Sequence, residues 1–81
     1  MNEADVRAVV LATLKSIAPE VEGEELRPNR PLRNQVDLDS MDWLNFLLGL
    51  HERLHVELPE SDYARLITLE DVVGYLGAKL R

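Results

Sequence analysis

Cysteine is absent from this 81-residue sequence. The chain therefore has no disulfide and no thiol of its own, so any thiol that it uses must come from a prosthetic group. Aromatic residues make up only 5% of the chain, but apolar residues together make up 46%, which is enough for a globular protein. From this length and composition we expect a single domain, residues 1–81, with a modest hydrophobic core.

A long apolar run and an excess of basic residues are missing too. No apolar segment approaches the ~20 residues that span a bilayer, and residues 1–5 lack the basic start of a secretory signal. We therefore expect a cytoplasmic protein with no membrane insertion. The net charge of −6 argues against nucleic acid as a partner, because binding to it requires a basic face.

The negative charge is concentrated in the second half of the chain. Residues 34–81 carry nine acidic and four basic side chains, whereas residues 1–33 carry six and five. The electrostatic field of this excess of acidic side chains accelerates diffusional encounter with basic surfaces of other proteins. We therefore expect protein partners that have basic docking patches.

Two segments have the spacing of ordinary amphipathic helices. The first, residues 3–17, follows the capping residue Asn2 and ends before Pro19, which disfavours helix in the residue preceding it. The last follows Thr68, which forms a capping box with Asp71. The expected core positions are Val6, Val9, Val10, Leu14 and Ile17 in the first, and Leu69, Val72, Val73, Leu76 and Leu80 in the last.

A third segment, residues 40–54, predicts a helix that is apolar on two sides. Asp39 is the expected N-cap and Asp42 completes a capping box, which places Ser40 at the first helical position. The side expected in the core consists of Trp43, Phe46, Leu47, Leu50 and Leu54. An 81-residue chain has little room to bury the other side as well, so we interpret that side as a partner surface. It consists of Met41, Leu44, Asn45, Leu48 and Glu52, with His51 beside them.

The remaining residues form two connections. Proline, glycine and asparagine interrupt residues 19–38, which predicts a long first loop without regular structure. The leucines and valine expected to pin this loop to the core are Leu26, Leu32, Val36 and Leu38. Its three arginines, Arg27, Arg30 and Arg33, are interpreted as solvated charges, with pairing to acidic helix starts as the alternative. Residues 60–65 predict a short helix.

The predicted fold class is therefore all-α, a small four-helix bundle of three longer helices and one short helix. Two motifs in it resemble those of the acyl carrier proteins. Asp39-Ser40-Met41-Asp42 is similar to that family's Asp-Ser-Leu phosphopantetheine attachment motif. Leu58-Pro59 and the later Thr68 are similar to the family's Ile-Pro step and to the threonine that opens its last helix. The resemblance covers nearly the whole chain.

This resemblance implies a carrier that is not an enzyme. A phosphopantetheinyl transferase would move 4′-phosphopantetheine from coenzyme A onto Ser40, with Asp39 and Asp42 supporting the site. Acyl intermediates would travel on this arm as thioesters between acyl-transferring or ligase enzymes, in fatty-acid, lipid or polyketide biosynthesis. We expect a monomer without a metal site. The resemblance also places an acyl pocket, or equally a filled core, between Trp43, Phe46, Leu47, Tyr63, Leu66 and Val72.

The chain departs from the family's usual sequence at three points. Residues 35–37 replace the Asp-Leu-Gly that precedes the Asp-Ser pair, Asn45 and His51 stand where glutamates are common, and Trp43 replaces a small residue. These differences favour a carrier dedicated to one pathway over the housekeeping fatty-acid carrier. The altered loop also supports an alternative, an unmodified helical protein–protein interaction module of the same fold.

One further pattern is typical of a different class of protein. His51-Glu52-Arg53-Leu54-His55 matches the HExxH motif of zinc hydrolases, in which two histidines on one helix face bind the metal. Neither a third ligand nor a strand to wall a substrate groove is evident in the sequence. We therefore favour the interpretation that both histidines decorate the end of a helix, where the partial negative charge of the carbonyls stabilises them.

Overall fold

Three longer helices and three short ones follow one another along residues 1–80, which are the residues that the computed structural model describes. The elements are α1 (Glu3–Ile17), a 3₁₀ turn (Gly23–Glu25), α2 (Leu32–Gln35), α3 (Ser40–Leu54), a 3₁₀ helix (Glu60–Arg65) and α4 (Leu69–Lys79). The expected all-α bundle is confirmed. We call the 3₁₀ helix Glu60–Arg65 the short helix.

The ends of the longer helices lie where local chemistry places them. The Asn2 side chain accepts a hydrogen bond from the Asp5 backbone N–H at 2.8 Å, which satisfies a donor at the start of α1. Helix α1 ends at Ile17, one residue before the residue that Pro19 restricts. The predicted bounds of α1 and α3, and the start of α4, agree with the structure.

The first loop contains more regular structure than expected. The prediction of no regular element between residues 19 and 38 was wrong, because a 3₁₀ turn and the one-turn helix α2 lie within it. An element of only four residues is too short to show helical periodicity, so the sequence pattern could not indicate it. The four expected anchors of the loop are all buried, namely Leu26, Leu32, Val36 and Leu38.

The side chain of Gln35 organises this loop. Its amide oxygen accepts from the Arg27 N–H at 2.6 Å, and its amide nitrogen donates to the carbonyls of Arg27 and Arg30 at 2.9 and 3.0 Å. One side chain therefore satisfies several backbone groups that no helix or sheet serves. A backbone hydrogen bond from the Leu32 N–H to the Ile67 carbonyl then joins α2 to the start of α4.

The core lies between α1, α3 and α4, and α1 packs against both of the others. The residues of these helices with relative exposure below 2% are Val6, Val10, Thr13, Leu14, Phe46, Leu47, Leu50, Leu69, Val72 and Leu76. Trp43, Val9, Ile17 and Leu80, which were expected in the core, are only partly buried at its edge. No helix within residues 1–80 has the length and hydropathy needed to cross a membrane.

Candidate functional site

Ser40 occupies the first position of α3, directly after its N-cap. The Asp39 carboxylate accepts a hydrogen bond from the Asp42 N–H at 2.8 Å, and the Asp42 carboxylate accepts one from the Asp39 N–H at 3.4 Å. This reciprocal pair is the capping box that the sequence predicts. It fixes the direction in which α3 begins and therefore the position of Ser40.

The Ser40 side chain is exposed, and no other group in residues 1–80 forms a hydrogen bond with its hydroxyl. The hydroxyl is therefore free to react or to be modified. It also lies at a helix start, where unpaired N–H groups and the helix dipole stabilise an attached anion. An exposed hydroxyl in this position suits a phosphodiester-linked group.

The sequence of the loop before Ser40 is compatible with this geometry. Among residues 1–80 only His55 has a positive φ outside glycine, so Asp37 adopts an ordinary conformation where the related motif has glycine. Arg33 donates from its guanidinium to the Leu38 carbonyl at 3.4 Å, which ties α2 to the end of this loop. The missing glycine therefore causes no backbone strain here.

Comparison with known families agrees with this site. Residues 8–76 match the sequence profile of the family described as "Phosphopantetheine attachment site". The chain belongs to the phosphopantetheine-binding acyl carrier family. The match covers most of the chain and includes α3 with its N-terminal residues.

Individual relatives give the same family. The acyl carrier protein of Campylobacter jejuni strain 81-176 is 32% identical over 72 residues, which are 89% of this chain and 87% of the relative. That of Helicobacter hepaticus is 29% identical over 73 residues, which are 90% of each chain. A solution structure assigned as an acyl carrier protein of Anaplasma phagocytophilum has the same fold, with a TM-score of 0.86. It is 23% identical and covers 100% of this chain and 94% of its own.

As a member of the acyl carrier family, the chain is a carrier and not an enzyme, and its cofactor is a covalently attached 4′-phosphopantetheine. The group supplies the thiol that this cysteine-free chain lacks. Its partners include a phosphopantetheinyl transferase and acyl-handling enzymes. The exposed hydroxyl and the helix start at Ser40 fit the attachment of such a group.

The side of α3 interpreted as a partner surface is exposed. Met41, Leu44 and Leu48 have relative exposures of 64%, 39% and 45%. Asn45 and Glu52 are exposed beside them. This acyl carrier therefore presents a stripe of large apolar side chains along the helix that begins at Ser40. We call it the α3 stripe, composed of Met41, Leu44 and Leu48.

The residues expected around an acyl pocket lie together at the junction of α3, the short helix and α4. Phe46, Leu47, Leu66 and Val72 are each at most 3% exposed, and Trp43 and Tyr63 are partly buried beside them. The rings of Trp43 and Phe46 are 5.2 Å apart between centroids and are tilted by 39°. A depression of about 180 Å³ opens beside these side chains and is lined in part by Leu47 and Tyr63. We call the six residues the pocket cluster.

The histidines of the HExxH pattern do not share a helix face. Helix α3 ends at Leu54, and His55 follows it in a left-handed conformation with φ 54° and ψ 44°. A nitrogen of the His51 ring lies 2.6 Å from the Val56 carbonyl oxygen. Within residues 1–80 no group of three potential ligands is placed to hold a metal ion.

Sequence reasoning missed one set of contacts near the pocket cluster. The Tyr75 hydroxyl of α4 donates to the Asp62 carboxylate of the short helix at 2.6 Å. Arg65 and Lys79 lie 5.6 and 5.4 Å from the centroid of the same ring. Asp62 and Tyr75 are 13 residues apart, and no local pattern indicates such a contact. The exposed side chain of Ile67, before α4, was not singled out either.

Proposed function

We propose that Ser40 is the residue to which 4′-phosphopantetheine is attached. The observation that carries the proposal is its exposed hydroxyl at the first position of α3, held by the Asp39–Asp42 capping box. The chain contains two further serines. Ser16 donates to the Thr13 carbonyl at 2.6 Å within α1, and Ser61 belongs to a 3₁₀ helix rather than to the start of a long α-helix. Neither has the combination found at Ser40.

The attachment is a phosphoryl transfer from coenzyme A. The Ser40 oxygen forms a bond to the phosphorus that bears the pantetheine, and the pyrophosphate bond to 3′,5′-adenosine diphosphate breaks. The hydroxyl proton passes to a base on the transferase, which also supplies magnesium. Asp39 and Asp42 hold the helix start and present negative charge to that enzyme. Once attached, the arm holds the acyl group as a thioester on its terminal thiol.

Intact-protein mass tests the proposal. The chain is incubated with coenzyme A, magnesium and a broad-specificity phosphopantetheinyl transferase, and the parent is expected to gain about 340 Da, the mass of the arm. Ser40→Ala should keep its original mass under the same conditions. An unmodified parent chain would support the rival function, a helical interaction module that lost the chemistry.

We infer that the α3 stripe docks acyl-handling partners through apolar contact. Exposed acidic residues surround it, among them Asp39 and Glu52, and the whole chain has a net charge of −6. Apolar area gives affinity, and the acidic rim favours partners with basic patches and excludes acidic surfaces. Asn45 and His51 replace negative charge within this surface, which supports a carrier dedicated to one fatty-acid, lipid or polyketide pathway.

We further propose that the pocket cluster shelters the acyl chain when the arm is loaded. The cluster is apolar and joins α3 to the short helix, and Trp43 at its edge is only partly buried. Each methylene that leaves water stabilises the loaded state by ~0.8 kcal/mol. An eight-carbon acyl group on the arm should therefore change Trp43 emission and raise the melting temperature, whereas the bare arm should do neither.

The working state proposed for this carrier is a single-domain monomer in the cytoplasm. One small exposed apolar stripe beside an acidic field suits transient docking to successive enzymes better than a permanent dimer. Light scattering at micromolar concentration should give a mass near 9.2 kDa for the unmodified chain. A mass of twice that value would contradict the monomer.

A further inference from the structure

The short helix has little packing of its own to hold it in place. None of its six residues is fully buried, although Tyr63 is partly buried and Leu66 follows directly after it in the core. Its internal backbone bonds include those from the Asp62 N–H to the Pro59 carbonyl and from the Leu66 N–H to the Tyr63 carbonyl. Segments with few buried contacts open at low free-energy cost. A side-chain tie to a neighbouring helix therefore matters more here than in α1 or α3.

Asp62 and Tyr75 form that tie. The hydroxyl of Tyr75 donates to a charged acceptor at 2.6 Å in a partly buried position, and such bonds are shorter and stronger than neutral ones. Burial of the ring and its bond to Asp62 raise the pKa of Tyr75 to about 12. The hydroxyl therefore remains protonated and able to donate at neutral pH.

Two cations hold the same ring. The Arg65 guanidinium and the Lys79 ammonium lie 5.6 and 5.4 Å from its centroid, within the range of cation–π attraction. Arg65 also approaches Asp62 at 4.0 Å. Outside these contacts lies an open depression of about 570 Å³, and a Cβ added at Gly74 on its wall would meet no atom within 4 Å. The Asp62–Tyr75 hydrogen bond is therefore not supported by packing on its solvent side.

The same two elements border the pocket cluster. Tyr63 and Leu66 come from the short helix and the residue after it, Val72 comes from α4, and Phe46 and Leu47 come from α3. A depression of about 180 Å³ reaches the cluster at Leu47 and Tyr63, whereas Phe46, Leu66 and Val72 are at most 3% exposed behind it. An acyl chain can pass from this depression to the buried side chains only if an element moves away. Movement of the short helix from α4 stretches the Asp62–Tyr75 bond directly.

We propose that the Asp62–Tyr75 pair is a latch that holds the short helix closed over the pocket cluster and opens when an acyl chain inserts. This inference rests on the proposed function of the pocket cluster. The latch keeps the unloaded carrier closed and well packed. Part of the free energy gained by burying the acyl chain is used to open the latch, and the strength of the Asp62–Tyr75 bond sets how large that part is. An acyl chain that is too short to offset the free-energy cost of opening stays outside the pocket cluster, where it is exposed to partner enzymes.

Hydrogen exchange in the unmodified chain tests the latch itself. Tyr75→Phe removes only the hydroxyl and keeps the aromatic ring that Arg65 and Lys79 approach. It should speed exchange at the Asp62 and Leu66 amides roughly tenfold, which corresponds to about 1.4 kcal/mol. Ser61→Ala removes an exposed hydroxyl from the same helix and should leave these rates unchanged, as should exchange in α1.

A second variant guards against an indirect effect of the tyrosine change. Asp62→Asn keeps the shape of the acceptor and removes its charge, so it should also speed exchange at these amides. The double variant should exchange no faster than the more affected single variant, because both changes remove the same bond. Unchanged exchange in Tyr75→Phe, or additive effects in the double variant, would overturn the latch.

Loading the arm with an eight-carbon acyl group tests the opening. If insertion opens the latch, Tyr75→Phe destabilises only the unloaded state, so its rise in melting temperature on loading should exceed that of the parent chain. An equal or smaller rise would overturn the inference. If the protein gains no mass from the transferase, attachment at Ser40 is refuted. If the parent and Tyr75→Phe proteins both gain mass but the acyl group changes the melting temperature of neither, the latch is refuted as a gate.

Discussion

Helices α3 and α4 begin with the same device and are used differently. Each has a capping box, Asp39 with Asp42 in α3 and Thr68 with Asp71 in α4. The next residue is the exposed Ser40 in α3, whereas it is the fully buried Leu69 in α4. A capping box fixes where a helix begins but does not decide function. The side chain that follows it, and whether that side chain faces solvent, makes the difference.

The two helices also differ on the sides away from the core. Helix α3 exposes the α3 stripe, whereas the exposed positions of α4 are small or charged, as at Glu70, Gly74, Ala78 and Lys79. Large apolar side chains left in water favour a partner, and small or charged ones do not need one. Helix α4 is therefore a support of the core, and α3 is a support that also carries the proposed contact surface.

The largest expected difference is at the residue after each cap. Leu69→Ala should lower the free energy of unfolding by about 2–5 kcal/mol, because it leaves a cavity in the core. Ser40→Ala should change it by less than about 0.5 kcal/mol, because an exposed hydroxyl without a partner is lost. Chemical denaturation of both variants measures these values. A strongly destabilised Ser40→Ala would mean that Ser40 serves the fold rather than attachment.

A difference of similar size is expected between the two sides of α3. Leu50→Ala should cost about 2–5 kcal/mol, whereas Leu48→Ser should cost less than about 1 kcal/mol. An assay of acyl transfer to or from the carrier should give the reverse ranking, with Leu48→Ser impaired. If Leu48→Ser unfolds the chain, the helical phase assigned to the α3 stripe is wrong.

The glycines of the two helices should respond in opposite directions. A Cβ at Gly49 in α3 would lie 2.8 Å from the Thr13 methyl of α1, so Gly49→Ala should destabilise by about 1–3 kcal/mol. Gly74 in α4 faces open space, so Gly74→Ala should stabilise by about 0.5–1 kcal/mol. Thermal melting compares the two. Adding Thr13→Ser to Gly49→Ala should restore part of the loss, and no recovery would place the strain elsewhere.

The smallest difference in stability between the two helices is expected at the caps themselves. Asp39→Ala and Thr68→Ala should each cost about 1 kcal/mol. Only Asp39→Ala should also slow modification by the transferase, because only that carboxylate lies beside the reacting hydroxyl. Rates measured at equal fractions of folded protein separate the two effects. Equal slowing by both variants would mean that helix stability, not the Asp39 carboxylate, governs modification.

The sequence predicts those parts of this structure that depend on neighbours along the chain. Caps at Asn2, Asp39 and Thr68 and the break at Pro19 are local, so the bounds of the helices follow from them. The position of Ser40 at the start of α3 was predicted for the same reason, since its motif lies within one turn of helix. The exposed apolar side of α3 follows from helical periodicity over several turns.

Contacts between distant residues were not predictable in this way. The Gln35 amide serves backbone groups up to eight residues away, and the Tyr75 hydroxyl reaches Asp62 across 13 residues. Both depend on how the chain folds back, which no spacing rule encodes. Trp43 has the phase of a core residue but lies at the edge, because the bundle is too small to enclose its ring fully.

Site-resolved mass spectrometry after modification identifies the residue that carries the arm. The modified chain is cut into peptides and fragmented, and the added mass of about 340 Da is located on one residue. We expect all of it on Ser40 and none on Ser16 or Ser61, the other two serines. Added mass on either of those residues, or a modified Ser40→Ala chain, would contradict attachment at Ser40.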